Sequence, residues 1–206
     1  TEYSAGRKNF VGILHKQGRM HPDIAEFPNK MFYFHERLEP VPCPHQIDSE
    51  LHYDMPAQDD MDKLLQRNRM IFIPSEFCKM PNISEKVNQA EALIVTDILK
   101  RIHRFYGKKF DSIKTVGVIV PYRNQIAMIR KEIEKLGIPE LLDISIDTVE
   151  RYQGSQRDVI ISSFTIQNYY QLDFLTGNCF VEDGHVIDRK LNVAITRARK
   201  QMIITG

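Results

Sequence analysis

The sequence has no paired cysteines, no long apolar run and no excess of either charge, and each absence closes off a class of protein. Its three cysteines, Cys43, Cys78 and Cys179, are far apart and form no CxxC pair. An odd number so spaced supports neither a disulfide scaffold nor a structural zinc cluster, and a reducing, intracellular setting is expected. Cys43-Pro44-His45 offers only two potential ligands, so no metal site is expected. No stretch approaches the roughly 18 consecutive apolar residues of a membrane span. Residues 1–30 also lack the unbroken apolar block of a signal peptide, and no membrane partner is expected. Lys and Arg number 28 against 27 Asp and Glu, a net charge of +1, so any polyanion partner has to be argued locally.

What is present is ordinary globular material: 206 residues, 42% hydrophobic and 27% charged, enough for one buried core. The chain opens at Thr1 without a methionine and stops at Gly206 after an apolar run, which reads as a piece of a longer protein. The near-zero net charge conceals a segregation. Residues 35–65 carry eight acidic and two basic side chains, net −6, with four prolines and no apolar period. An irregular, exposed acidic insertion over 35–69 is expected. Residues 86–135 carry eleven basic and five acidic side chains, net +6, which suits either solvated helix faces or a track for a polyanion.

Elsewhere apolar runs alternate with helical periods. Strands are expected at 70–73, 116–120, 144–148, 159–164 and 202–205. A helix capped by Ser84 and stopped by Gly107 carries Val87, Ala90, Ile94, Ile98, Ile102 and Phe105 on one face. A second runs from about Ile126 to Gly137, and a third spans 189–199. Within 166–186, Gly177-Asn178 and Asp183-Gly184 predict a loop or hairpin. Strands alternating with helices imply one α/β domain with a mostly parallel sheet covered on both faces.

Ligands of such sheets gather at the carboxyl ends of strands, so the polar segments there are the ones to read. Pro121-Tyr122-Arg123-Asn124-Gln125 follows one strand. Residues 147–158 form a polar connection containing Thr148, Gln153, Gly154 and Gln156, whose backbone N–H groups and amides suit phosphates. Residues 191–199 place Arg197 and Arg199 two apart, so they cannot share a helical face, and one needs an anionic partner inside. Gln17-Gly18-Arg19-Met20-His21-Pro22 puts another arginine beside a helix start, with His21 read as a cap rather than a catalyst.

In order, these four segments resemble the second RecA-like domain of superfamily 1 helicases, in the 5′-to-3′ branch that includes the RNA-decay and replication nuclease-helicases. Residues 17–27 resemble that group's Gln-Tyr-Arg-Met-His-Pro segment and 118–125 its motif IV. Residues 147–158 resemble motif V and 191–199 motif VI, Leu-Asn-Val-Ala-Leu-Thr-Arg-Ala-Arg. The resemblance implies a three-layer, P-loop-NTPase-type fold lacking its own P-loop, over residues 1–206. It also implies an ATP-dependent DNA or RNA helicase or translocase motor, used in replication or repair, with ATP and Mg2+ bound between two lobes and the magnesium ligands on the first. Arg19, Arg197 and Gln153 take the catalytic positions at the γ-phosphate. Gln17, Gly154 and Gln156 join the two arginines as nucleotide-binding positions, and Pro121, Tyr122 and Thr148 match positions that touch a single-stranded backbone. Two departures from the pattern matter, the family's base-stacking tyrosine being Gly18 and its motif V glutamate Gln156, whereas Glu150 for aspartate and Tyr152 for phenylalanine in motif V are mild. These departures keep open a catalytically degenerate nucleic-acid-binding module, and an unrelated α/β enzyme holding another phosphorylated ligand is a third reading. With no GxxxxGK[ST] in the sequence, the lobe alone is expected to hydrolyse no ATP.

Overall fold

The computed structural model describes residues 14–75, 84–152 and 154–206. In chain order the elements are β1 (Lys16–Gln17), α1 (Pro22–Met31), β2 (Glu39–Pro40), α2 (Pro44–Ile47), α3 (Asp60–Arg67), β3 (Met70–Ile73), α4 (Gln89–Tyr106) and β4 (Val116–Val120). These are followed by α5 (Arg123–Glu134), α6 (Pro139–Leu142), β5 (Ser145–Thr148), β6 (Arg157–Ser163), α7 (Tyr169–Thr176), β7 (Phe180–Glu182), β8 (His185–Ile187), α8 (Arg189–Ile195) and β9 (Ala198–Thr205). The main sheet runs β3-β9-β6-β4-β5, every pairing parallel. This is the doubly covered α/β sheet that the alternating pattern predicts.

The continuous apolar strands are explained by the two-residue period of the pleat. Val116, Val118 and Val120 of β4 join Val159, Ile161 and Ile203 in a core closed by Ile98, Leu99, Ile102 and Phe105 of α4 and Ile129 and Ile133 of α5. The intervening Ile119, Ile160, Met202 and Ile204 face the opposite layer, where Ile24 of α1 and Ala194 and Ile195 of α8 cover them.

Gly117 lies on that second face. A Cβ there would stand 1.7 Å from the Tyr152 hydroxyl, so only glycine lets the ring's hydroxyl end pack against the strand at that point.

Three boundaries differ from expectation. The long helix begins not at Ser84 but after Asn88, whose carboxamide oxygen accepts the Glu91 N–H at 3.1 Å. Asn88 is locked there by a reciprocal pair with Gln125, each bond 2.9 Å. Helix α8 stops at Ile195, and Arg199 lies in β9. The constraint of a shared helical face therefore never arises for Arg197 and Arg199. Segment 35–69, expected to be irregular and exposed, contains β2, α2 and α3 and buries His45, Gln46, Asp62, Leu65 and Arg69. Its acids are partners of the basic stretch: Asp62 and Asp59 meet Arg101 at 2.6 and 2.7 Å, Asp62 also pairs with Arg104, and Asp54 meets Lys109 at 2.6 Å. Three of the eight acids thus meet three of the eleven bases. Segment 166–186 holds helix α7 and the strand β7, which pairs antiparallel with β8 through the turn Asp183-Gly184, both residues at positive φ.

Candidate functional site

The residues singled out in the sequence fall at opposite ends of the sheet. Arg19, Gln156 and Arg197 gather at the amino ends of β6 and β9, where Arg157 pairs with Ala198. The carboxyl-end rule does not hold for them. Pro121, Tyr122 and Thr148 do lie at the carboxyl ends of β4 and β5, where Val120 pairs with Thr148. Residues 149–156 join the two ends, because β5 and β6 run parallel on either side of β4 and the chain must return across the sheet face between them.

Arg19 is held by a turn with little freedom. The Gln17 side-chain oxygen accepts the N–H groups of Arg19 (2.9 Å) and Met20 (2.7 Å), and its amide donates to the Met20 carbonyl (2.8 Å). From α2, Gln46 donates to the carbonyls of Gln17 and Met20 at 2.9 and 2.8 Å, and His45 Nε2 donates to that of Arg19 at 2.7 Å. Gln17, expected to face the nucleotide, thus spends its amide on the turn. The segment expected to be an irregular insertion supplies the clamp, and no sequence period signals that role for His45 and Gln46.

So positioned, the Arg19 guanidinium donates from Nε to Gln156 Oε1 (3.1 Å) and from Nη1 to the Thr196 carbonyl (3.0 Å). Arg197 donates from Nε to the Val193 carbonyl (3.0 Å) and from Nη2 to the Thr196 hydroxyl (3.2 Å). Two guanidinium groups therefore flank Thr196, and neither meets a carboxylate among the described residues. Burial, and next the Arg19 charge, hold the Arg197 pKa below its usual value. Such a pair favours an anion between or before it. Arg199 is different: it is bound to Asp158 at 2.9 Å, which also takes Lys200 at 2.8 Å. Of the two, Arg199 is the one with its own anionic partner, although its side chain is not buried.

The connecting loop is anchored in the core by Tyr152. Tyr152 is 2% exposed, donates from its hydroxyl to the Ser145 carbonyl at 3.2 Å and carries the Arg157 guanidinium over its ring at 5.6 Å. Beyond the pin, Gly154 takes φ +87° and lies exposed with Gln156. Gln153 is outside the described residues.

At the carboxyl end Pro121 terminates β4, and Tyr122 occupies the cap position of α5 with extended backbone. Two residues beyond Thr148, the Glu150 carboxylate binds Lys190 at 3.1 Å. Lys190, one residue before the motif VI resemblance, was not among the residues read for chemistry; only the packing of α8 brings it here. Among the described residues no three His, Cys, Asp or Glu side chains cluster as a metal site would require, and no helix is long and apolar enough to cross a membrane.

A family model described as an AAA domain matches residues 2–206. An uncharacterized ATP-dependent helicase of Methanocaldococcus jannaschii is 30% identical over 204 residues, which cover 96% of this chain and 26% of that protein. The DNA polymerase alpha-associated DNA helicase A of Saccharomyces cerevisiae is 29% identical over 208 residues, 97% of this chain and 28% of its own length. Regulator of nonsense transcripts 1 of Dictyostelium discoideum is 32% identical over 197 residues, 92% of the chain and 13% of that protein. The chain therefore spans at most 28% of the length of these relatives.

Proposed function

Because this chain belongs to the AAA domain family, as a second RecA-like lobe of the superfamily 1 helicase type, we propose that it is the second motor lobe of an ATP-dependent helicase or translocase. ATP with magnesium would lie in a cleft between this lobe and a first one, with Arg19 and Arg197 reaching its γ-phosphate. The carrying observation is the pair itself: two guanidinium groups on either side of Thr196, without a carboxylate partner. By the resemblance, magnesium would be held by the other lobe, with the P-loop.

Phosphoryl transfer develops charge on the phosphoryl oxygens, and a cross-cleft arginine that meets this charge is worth roughly 10³–10⁵ in kcat, or about 4–7 kcal/mol. Lysine would serve poorly, lacking the planar fork. The arginines would engage only on closure, which couples hydrolysis to lobe motion. At the far end of the sheet, Pro121, Tyr122 and Thr148 would hold a single-stranded DNA or RNA backbone without reading its sequence. Residues 149–156, running between the two ends and pinned by Tyr152, are the covalent link between them.

In the full-length protein, Arg197→Ala should retain nucleotide binding while strand-stimulated ATP turnover falls by about two orders of magnitude or more. Near-normal turnover would refute the cross-cleft role. A degenerate binding module draws support from Gly18 and Gln156. Against it, Gln156 keeps a polar contact, accepting from Arg19 with a neutral amide that leaves the guanidinium charge available to phosphate.

A further inference from the structure

Resting on the strand site proposed at the carboxyl end of the sheet, we infer that Lys190 is a phosphate-binding residue of that site and that Glu150 holds it in place until a strand's phosphate displaces the carboxylate. Three segments far apart in sequence converge there. Register places Thr148 beside Val120, directly before Pro121 and Tyr122. Two residues on, Glu150 meets the Lys190 ammonium at 3.1 Å. Lys190 also lies close enough to Tyr122 for its charge to act on the phenol. A ring, a hydroxyl and an ammonium thus stand together where a sugar-phosphate chain would cross the end of the sheet.

The Lys190–Glu150 pair is well suited to being exchanged. Its side chains are 56% and 62% exposed, and exposed ion pairs contribute about 0–1 kcal/mol. Giving up such a pair costs little, and a phosphodiester restores the same contact to the ammonium. The neighbouring acid is occupied too: Asp147 accepts the Thr148 N–H at 3.0 Å and faces Arg151 at 3.9 Å. Asp188 caps α8 and accepts the N–H groups of Lys190 and Leu191, each at 2.9 Å, so the carboxylate that meets the Lys190 ammonium is that of Glu150. The chemistry recognised is the phosphodiester backbone, common to DNA and RNA.

The test is fluorescence anisotropy on the full-length protein without nucleotide, over a salt series, using oligo-dT and oligo-U as separate probes. Lys190→Ala should weaken binding several-fold and flatten the slope of log K against log salt by about 0.7, the value for one phosphate contact on a single strand. Lys190→Arg should restore both. Glu150→Gln should tighten binding, a gain that misfolding cannot produce. Unchanged or weaker binding by Glu150→Gln, or an unchanged slope in Lys190→Ala while Tyr122→Ala binds poorly, would overturn the inference and leave the strand site standing. If Tyr122→Ala and Lys190→Ala both bind as the parent does, the strand reading of this end fails and the inference falls with it. Effects confined to one probe would assign the site to that nucleic acid.

Discussion

At the scale of single residues, Gly18 and His21 bracket Arg19 and act by different physics. The family tyrosine that stacks on the nucleotide base is absent at Gly18, which is exposed and where a side chain can begin without a clash: a Cβ would meet only Cys43 Sγ, at 3.7 Å. Base stacking on an aromatic ring is worth about 1–3 kcal/mol. Gly18→Tyr should therefore raise the affinity of the full-length protein for ATP about fivefold or more, with no gain for inorganic triphosphate. Competition titrations would show it, and an equal gain for both ligands would sink the stacking account. His21 caps α1, its Nδ1 accepting the Asp23 N–H at 3.1 Å while Nε2 donates to the Asp48 carbonyl at 2.9 Å. Burial, then the Arg69 charge, lower its pKa from the usual value of 6.5. The native state then binds fewer protons than the unfolded one, so this contribution is complete above about pH 6.5 and is lost as pH falls below it. His21→Asn keeps a capping oxygen but cannot titrate. Urea midpoints between pH 7.5 and 5.5 should fall less for this variant than for the parent, and parallel curves would exclude His21 as the cause.

At the scale of elements, the loop 149–156 depends on β4 having no side chain at Gly117. Tyr152 and Arg157 both close on that point, with the ring hydroxyl 1.7 Å and Arg157 Cγ 3.2 Å from where a Cβ would lie. The ring is rigid and buried, so relief requires moving the loop. Overpacking of this kind costs about 1–3 kcal/mol, and Gly117→Ala should lower the urea midpoint accordingly with the slope unchanged. An unperturbed midpoint would mean the ring is free to move. Gly117 was legible only as one more residue of an apolar strand. Nothing at position 117 announces position 152, since the contact is made across 35 residues of chain. The elements themselves were more readable, because alternation and helical period reflect burial directly. The start of α4 was misplaced because Ser84, locally a good cap, binds the N–H of Lys86 at 3.0 Å in a turn, while the Asn88–Gln125 pair decides where the helix begins.

At the scale of the molecule, the family match covers the chain while the chain covers a fraction of its relatives. Residues 1–206 expressed alone should therefore release no phosphate from ATP, with or without a single strand, because the arginines have no P-loop to work against. Measurable turnover by the lobe alone would overturn the two-lobe reading. The sequence alone determined the class of fold, through the apolar strands and the helices between them, and it determined the residue types of the site, through four motifs in order. These are local properties, set by periods of two and 3.6 residues and by short strings. Only the tertiary structure decided what is made between distant segments: that Arg19 and Arg197 share Thr196, and that Gln17 is spent on a turn clamped by His45 and Gln46. It likewise brought Lys190 to Glu150 and set the acidic segment against the arginines of α4. Such contacts depend on which strands neighbour one another, and the order β3-β9-β6-β4-β5 is a property of the whole chain that no local window contains.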